Sequence, residues 1–193
     1  MTLELAALDP ELAQQTARWL VAAAGPDTLS VDEAMEVVAY MRLHDLAQGE
    51  HLVREGQMHG LDRLWLVLDG ELSVENNPLQ AGESEMVVRV VGPGSLIGEL
   101  SLLDGGPRSA NCVAMTHILA ATLSRGDFHR LLAERPQVGV SLLLAIARRM
   151  AVHVRDLTRK LQLFAQMNRT LGQELEAAPA DHDMDWPAIE EHD

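Results

Sequence analysis

The sequence is poor in aromatic residues and cysteine, and it has no apolar run long enough to cross a bilayer. Aromatic residues make up 3% of the 193 residues, so aliphatic side chains must fill the core. A membrane-spanning helix needs roughly 20 apolar residues in succession, and no run approaches that length. The single cysteine, Cys112, excludes an intrachain disulfide, and its apolar neighbours predict a buried thiol. With an acidic N-terminus that does not resemble a signal peptide, these features predict a cytoplasmic protein.

Positive charge is scarce too: Lys160 is the one lysine, and the formal net charge is -14 at pH 7. Nucleic acids and anionic membranes bind through neutralised phosphates, so neither is an expected partner. The eight histidines form no cluster with cysteine and no i, i+4 pair on a helix, so no metal site is expected. His182, Asp183 and Asp185 would bind a metal only non-specifically. No nucleophile has a base placed beside it, so an enzyme is not expected, nor is a cofactor.

Two N-terminal helices are predicted from their capping residues. Apolar residues make up 47% of the chain, which is typical of a globular protein. Asp9 followed by a proline predicts a helix over 9–24. Ser30 and Glu33 have the spacing of a capping box, which predicts a second helix over about 31–43.

The sequence pattern is different from about residue 49 to residue 123, where short runs rich in β-forming residues alternate with glycine turns. The runs are EHLVREG, DRLWLVLDG, ELSVENN, EMVVRVVGPG, ANCVAMT and HILAATLSRG, with a polar loop over 76–84. Many short strands at this spacing indicate an antiparallel barrel or jelly roll. The predicted fold class is therefore α+β: a jelly roll with N-terminal helices and a long C-terminal dimerisation helix.

A short helix is predicted over 125–134 and a long one over about 137–176. Apolar positions along the long helix are spaced four, three, four, three, which indicates a heptad seam with a partner helix. The alternative is one helix packed on its own domain with a period of 3.6. Asn168 stands at an a position, where a buried amide commonly fixes register and dimer state. The predicted homodimer interface is Leu143, Ala147, Met150, Val154, Leu157, Leu161, Phe164, Asn168 and Leu171.

The predicted organisation has four parts, the last of which is an acidic tail. The tail has two prolines and neither lysine nor arginine, which predicts disorder. Trp186 and Ile189 offer an alternative, a short motif that docks an unknown protein partner. The four parts are a helical segment (1–45), the barrel (46–135), the long helix (136–176) and the tail (177–193).

The stretch GSLIGELSLLDGGPRSANCVA, residues 94–114, carries the candidate binding chemistry. Gly98 lets the backbone approach a ligand, and the three amides that follow it are the free donors of a helix start, which favour an anion. Arg108 follows a Gly-Gly-Pro turn that can fold it back over that start. A guanidinium can grip two phosphate oxygens at once, and Ser109 adds a hydroxyl.

Glu99 narrows the range of possible ligands, because a carboxylate would repel a ligand that consists of a phosphate group only. It can accept a hydrogen bond from a ribose hydroxyl, so the site predicts one phosphate with a ribose beside it. No Walker spacing and no evident metal ligands are present, so a triphosphate with magnesium is not expected. GPGSLIG is followed by no βαβ unit, so a dinucleotide is not expected either.

GELSLLDGGPRSA, residues 98–110, resembles the phosphate-binding cassette of cyclic nucleotide-binding domains. The wider pattern of Gly49, Glu55-Gly56 and LWLVLDG also fits, and the resemblance covers about 33–160, closest to the bacterial catabolite activator (Crp/Fnr) branch. It implies that Glu99 binds the ribose 2′-hydroxyl, while Arg108 and Ser109, with the amides after Gly98, hold the cyclic phosphate. The ligand-binding residues so predicted are Gly98, Glu99, Leu100, Ser101, Arg108, Ser109, Ala110, Val74, Val88, Val91 and His153. The three valines would line the nucleoside pocket, or else form plain barrel core.

Two departures from the family pattern leave the ligand and the output open. Transcription factors of the family continue into a helix-turn-helix domain, whereas here the acidic tail follows, so direct DNA binding is not expected. The activator branch sets two hydroxyl side chains against the adenine, and His153 and Val154 stand at those positions. His153 contacts the purine or is simply solvated. Cyclic AMP is the first expectation and cyclic GMP the second. The alternatives are a scaffold with a degenerate pocket and a pocket for another phosphorylated or carboxylated metabolite.

Overall fold

The computed structural model describes residues 3–4, 9–25, 27–57, 62–76 and 87–177. The chain divides into two compact units, Met1–Arg149 and Met150–Asp193. Most of the predicted polar loop and nearly all of the acidic tail, with Trp186 and Ile189, lie outside the described residues.

The first two helices start where their capping residues predict. Helix α1 is Pro10–Ala24, and the side chain of Asp9 accepts the first free amide, at 2.9 Å from Glu11 N. Helix α2 is Val31–Val38 and opens with a complete capping box between Ser30 and Glu33. The predicted end of α2 near residue 43 is wrong, because the chain has entered a strand by then.

Nine strands form two antiparallel sheets within the described residues, which confirms the predicted jelly roll. One sheet has the order β1-β2-β9-β4-β7 and the other the order β3-β8-β5-β6. The strands are β1 Leu3–Glu4, β2 Arg42–Leu46, β3 His51–Val53, β4 Arg63–Asp69, β5 Leu72–Asn76, β6 Val87–Val91, β7 Leu96–Ile97, β8 Asn111–Ala114 and β9 Ile118–Ser124. Six of them fall within the six β-rich runs.

Strands β1, β2 and β7 are not anticipated by the sequence patterns. β2 has three polar residues among five and no flanking glycine. It forms because it pairs along its whole length with β9, from Arg42 opposite Thr122 to Leu46 opposite Ile118. β1 then pairs with β2. Tertiary pairing, rather than local propensity, therefore decides the region that the sequence assigns to helix.

The barrel core is aliphatic, as the shortage of aromatic residues requires. Cys112 is 1% exposed and lies in the core, so the predicted buried thiol is confirmed. Burial raises the pKa of this thiol to about 11, which keeps it protonated and unreactive at neutral pH. The core cluster comprises Leu52, Val53, Trp65, Val67, Leu72, Val91, Cys112, Ala114, Ile118 and Ala120.

Three further helices follow β7. Helix α3 is Glu99–Asp104, α4 is Arg125–Glu134 and α5 is Pro136–Ala177. The last two match their predicted spans, with α5 one residue longer at each end. In the first unit α5 buries Leu142, Ala145 and Ile146.

The predicted seam of α5 lies on an exposed face of the chain. Leu161 is 69% exposed and Val154 61% exposed, as expected of apolar positions reserved for a partner helix. Met150 is half-buried, and the remaining predicted interface residues are exposed: Leu143, Ala147, Leu157, Phe164, Asn168 and Leu171. The homodimer itself stays a prediction.

Contrary to the expectation from uninterrupted apolar runs, the segment Pro136–Leu171 of α5 is long and apolar enough, by length and composition alone, to cross a membrane, even though Arg148 and Arg149 interrupt it. The core helix of a soluble protein meets the same two criteria. Part of the segment serves as such a core helix, since Leu142 and Ile146 are each 1% exposed in the first unit.

A hydrogen bond whose strength depends on pH joins α2 to α5 within the first unit. Ser141 Oγ donates to Glu33 Oε1 at 2.6 Å, and the amide of Ser30 donates to Glu33 Oε2 at 2.8 Å. Hydrogen bonds from Ser141 and then from Ser30 lower the pKa of Glu33. The stabilisation is therefore present above the unfolded-state pKa of about 4.3 and is lost as pH falls through the lower folded-state value.

We expect Glu33→Gln to flatten the acid limb of the stability curve. Chemical denaturation between pH 7 and pH 3 should show a smaller fall in the free energy of unfolding for the variant than for wild type. Ser141→Ala, which removes the first hydrogen bond, should lose about 1 kcal/mol at pH 7 and also flatten the limb. Identical acid limbs in all three proteins would contradict this account.

Candidate functional site

The candidate site is centred on the turn between β7 and α3. Gly98 precedes α3 with φ 89° and ψ 22°, the left-handed conformation that favours glycine. A Cβ at this position would overlap Arg108 Nη1 and crowd the carbonyl oxygen of Arg63. The turn therefore needs glycine for two reasons, its backbone conformation and the close approach of the guanidinium.

Arg108 folds back over that turn, as the sequence pattern predicts. Its backbone is fixed on both sides: its amide donates to Gln57 O at 3.2 Å, and its carbonyl accepts from Gly56 N at 2.9 Å. Its residue exposure is 6%, which is unusual for an arginine. Nη2 donates to Arg63 O at 3.3 Å. Nη1 is buried and has no hydrogen-bond partner among the described residues.

The guanidinium of Arg108 lies in an environment that favours an anion. Burial lowers the pKa of Arg108, and the charge of Arg63 acts in the same direction, while Asp62 opposes them. The group still carries its charge at neutral pH, because a guanidinium is not deprotonated in proteins. A buried cation with an unused donor is costly, so an anionic oxygen is the partner that the chemistry favours.

The start of α3 adds backbone donors beside the guanidinium. The amides of Glu99, Leu100 and Ser101 belong to the first turn, where no intrahelical acceptor exists, and Gly98 has no side chain to cap them. Ser101 is buried, and its hydroxyl donates to Gly98 O at 3.2 Å. The side chain of Leu100 is half exposed, so its predicted contribution is its amide.

Glu99 is bound by an arginine that the sequence analysis does not identify. Arg149 Nε donates to Glu99 Oε1 at 2.6 Å, and Arg149 Nη2 donates to Leu96 O at 3.5 Å. The two side chains of the ion pair are largely buried, with exposures of 26% for Arg149 and 14% for Glu99. The two residues are 50 positions apart in sequence, and no local pattern in the long helix separates Arg149 from its other basic residues.

The other predicted ligand-binding residues are less closely grouped. Ser109 is exposed and Ala110 half-buried, both directly after Arg108. Val91 belongs to the barrel core cluster and Val74 packs against it, which is compatible with either of their predicted roles. The side chain of Val88 lies outside the described set. His153 is exposed on α5 in the second unit. Their roles in binding stay predictions.

Among the residues that the structure describes, no group of three or more His, Cys, Asp or Glu side chains could hold a metal ion. The chemistry of the site is instead that of a cation and backbone amides beside a carboxylate. Such a set recognises an anionic group with a hydroxyl-bearing neighbour.

Comparison with known proteins identifies the family of this chain. The family model for the cyclic nucleotide-binding domain matches residues 43–135. The cyclic AMP receptor protein of Thermus thermophilus is 32% identical over 122 residues, covering 63% of this chain and 55% of the relative. The chain spans about half the length of the curated relatives that it matches.

Two solved structures agree in fold. A cyclic nucleotide-binding domain from Methylobacillus flagellatus superposes with a TM-score of 0.66 at 28% identity, covering 78% of this chain and 84% of that one. The N-terminal domain of a transcriptional regulator from Streptomyces coelicolor has a TM-score of 0.59 at 36% identity, covering 74% of this chain and 94% of that one. The chain therefore belongs to the cyclic nucleotide-binding domain family, in its Crp/Fnr branch, and is a cyclic nucleotide-binding regulatory domain.

Proposed function

We propose that the protein is a receptor for cyclic AMP, with cyclic GMP as the second candidate, and that it signals as a homodimer. The observation that carries this proposal is the buried guanidinium of Arg108, whose Nη1 faces Gly98 without an acceptor in the part of the chain that the structure describes. The similarity to the Thermus thermophilus cyclic AMP receptor protein supports cyclic AMP as the first candidate.

The cyclic phosphate is a monoanion that matches the donors at the start of α3. Arg108 Nη1 would donate to one phosphate oxygen, and the amides after Gly98 would donate to the other. The phosphate would supply the counter-charge that Arg108 has only partly from Asp62, so binding would remove the cost of the buried cation. Charge-assisted hydrogen bonds of this kind are the strong ones, and burial strengthens them further.

The ribose would be recognised through Glu99 without displacing Arg149. A carboxylate has two oxygens and can accept several hydrogen bonds, and Arg149 occupies Oε1. Oε2 would accept the 2′-hydroxyl. In this role Arg149 is a positioning residue that holds the carboxylate in its acceptor orientation.

The same ion pair would connect the ligand to the dimer. Arg149 lies on α5, and α5 continues into the exposed apolar seam that includes Val154 and Leu161. A ligand that binds Glu99 changes the free energy of the Glu99–Arg149 pair. It shifts the helix only as far as it binds two helix arrangements with different affinity.

The buried thiol and the likeness to bacterial regulators support a cytoplasmic location. A protein partner recruited by the dimer or by the acidic tail would carry the output. The expectation that the chain does not bind DNA directly stays a prediction, based on its net charge of -14.

Titration calorimetry with cyclic AMP and cyclic GMP tests the receptor directly. We expect Arg108→Met to weaken binding of the preferred nucleotide by at least about 100-fold, because the charge-assisted hydrogen bond from Nη1 and the buried counter-charge of the phosphate are both lost. The same variant should melt at or above the wild-type temperature without ligand, since an apolar side chain replaces an incompletely paired buried charge. Arg18→Met, an exposed change of equal charge on α1, should leave both quantities as in wild type.

Failure of wild type to bind either nucleotide below roughly millimolar concentration would sink the proposal and favour a scaffold role. Mass spectrometry of ligand released from the purified protein would show whether another phosphorylated or carboxylated metabolite occupies the pocket. If Arg108→Met unfolds the free protein but the folded fraction keeps its ligand affinity, Arg108 is a structural residue rather than a binding residue.

The role of Glu99 is tested by removing the hydroxyl from the ligand. Wild type should prefer cyclic AMP over its 2′-deoxy analogue by about 10-fold or more, the value of one hydrogen bond to a charged acceptor. Glu99→Gln should lose most of that preference while retaining affinity for the phosphate. An unchanged preference in Glu99→Gln would show that another group reads the hydroxyl.

The heptad pattern of α5 predicts which exposed apolar residues stabilise the dimer. Leu161 lies on the seam and Leu163 does not, yet both are more than half exposed, at 69% and 54%. Leu161→Glu should therefore shift the protein to monomer in sedimentation analysis, while Leu163→Glu should not. A monomeric wild type, or equal effects of the two substitutions, would contradict a heptad interface.

A further inference from the structure

A second basic cavity lies at the start of β4, outside the cassette. It has a volume of about 260 Å³ and is lined by Arg42, Arg63, Thr122, Ser124 and Asp127. The strand register explains why these residues meet. Arg42 is opposite Thr122 across β2 and β9, and Arg63 is opposite Ser124 across β9 and β4. Directly paired residues share one face of the sheet, so two guanidiniums and two hydroxyls occupy neighbouring rows.

One of the two arginines is held in a fixed orientation. Arg63 Nη1 donates to His44 Nε2 at 3.0 Å, which requires the neutral form of the imidazole. Burial lowers the pKa of His44, and the charge of Arg63 adds to the effect, so the ring stays neutral. The ring of His44 in turn packs against Trp65 with centroids 5.1 Å apart. The guanidinium of Arg63 is therefore preorganised rather than free to rotate into solvent.

The one acid in the cavity is already compensated. Asp127 Oδ2 accepts from Ser124 Oγ at 2.6 Å, and Asp127 Oδ1 accepts from Arg130 Nη1 at 3.3 Å. Arg42 Nε stands 4.0 Å from the same carboxylate, too far for a hydrogen bond. Arg42 still forms an ion pair with Asp127 at that distance, and Arg130 also pairs with Glu134, with Nε 3.5 Å from Oε1. The three guanidiniums of Arg42, Arg63 and Arg130 thus exceed the two carboxylates by one, and the cavity keeps a net positive charge.

A buried donor on the same face of the sheet has no partner either. Trp65 is opposite Thr122 in the pairing of β4 with β9 and is 4% exposed. Its indole Nε1 is buried without a hydrogen-bond partner among the described residues. The hydroxyls of Thr122 and Ser124 already donate to Arg42 O and Asp127 Oδ2. The donors of this face that an anion could use are therefore the two guanidiniums and the indole N–H, and an anionic oxygen is the acceptor that such donors favour.

We propose that this cavity is a second anion site, in which Arg42 and Arg63 bind a small phosphate or carboxylate group. The site is separate from the cassette and does not depend on the proposed nucleotide binding. Arg63 is the residue common to both regions: its side chain lines the cavity, and its carbonyl accepts from Arg108.

The test uses the indole N–H of Trp65 as a local reporter in nitrogen–proton correlation spectra of the full chain. The sequence has three tryptophans, so Trp65→Phe assigns the signal. Inorganic phosphate and succinate are titrated separately at constant ionic strength, to distinguish a phosphate from a carboxylate ligand. We expect a saturable shift with at least one of them.

Arg42→Gln should weaken that binding at least 10-fold, and Arg63→Gln provides a second variant should Arg42→Gln fold poorly. Arg108→Met should preserve it, because the cassette is not involved. Arg18→Gln, an exposed change of equal charge, should also preserve it. A shift that never saturates, that persists in both Arg42→Gln and Arg63→Gln, or that disappears in Arg108→Met would overturn the second site.

Discussion

The buried charge of Arg108 is the constraint on which the cassette depends. A guanidinium that is 6% exposed needs partners that compensate for its lost hydration. Among the described residues the compensation is only partial: one long hydrogen bond to Arg63 O and the charge of Asp62. Its conformation is nevertheless fixed, because its backbone is hydrogen-bonded to Gln57 and Gly56. The fold thus holds a cation in place whose pairing is incomplete, which is the arrangement expected of a binding site rather than of a structural ion pair.

The incompletely paired charge of Arg108 affects only a small region of the jelly roll. Helix α3 has only six residues and lies between two glycines in the left-handed conformation, Gly98 and Gly105. At Gly105 the φ of 67° favours glycine, and a Cβ would displace the end of the Arg125 side chain, so an arginine lies against each end of the helix. The core cluster consists of strand residues and includes neither Gly98 nor Arg108. A change in the cassette can therefore alter binding without unfolding the barrel.

Sequence patterns predict this protein best where local chemistry decides the structure. The capping residues Asp9 and Ser30 mark the starts of α1 and α2, and the glycine turn before Arg108 predicts its return to Gly98. They fail where tertiary pairing decides. Strand β2 looks like the end of a helix until β9 is available to pair with it, and the bond from Arg149 to Glu99 spans 50 residues. A heptad pattern assigns Arg149 to no particular partner, so the second half of the site could come only from the structure.

Local charge, rather than net charge, decides which anions this protein can bind. A net charge of -14 repels a polyanion that approaches over a large surface. The Debye length is only about 8 Å at physiological ionic strength, so a small anion inside a buried site responds mainly to the groups around it. Around the start of β4 those groups are the guanidiniums of Arg63, Arg42 and Arg108 and the carboxylates of Asp62 and Asp127. Positive charge is therefore in excess there, in a chain whose acidic residues outnumber its basic ones. Large polyanions are thus disfavoured by the same surface that leaves a small, singly charged sugar phosphate free to enter.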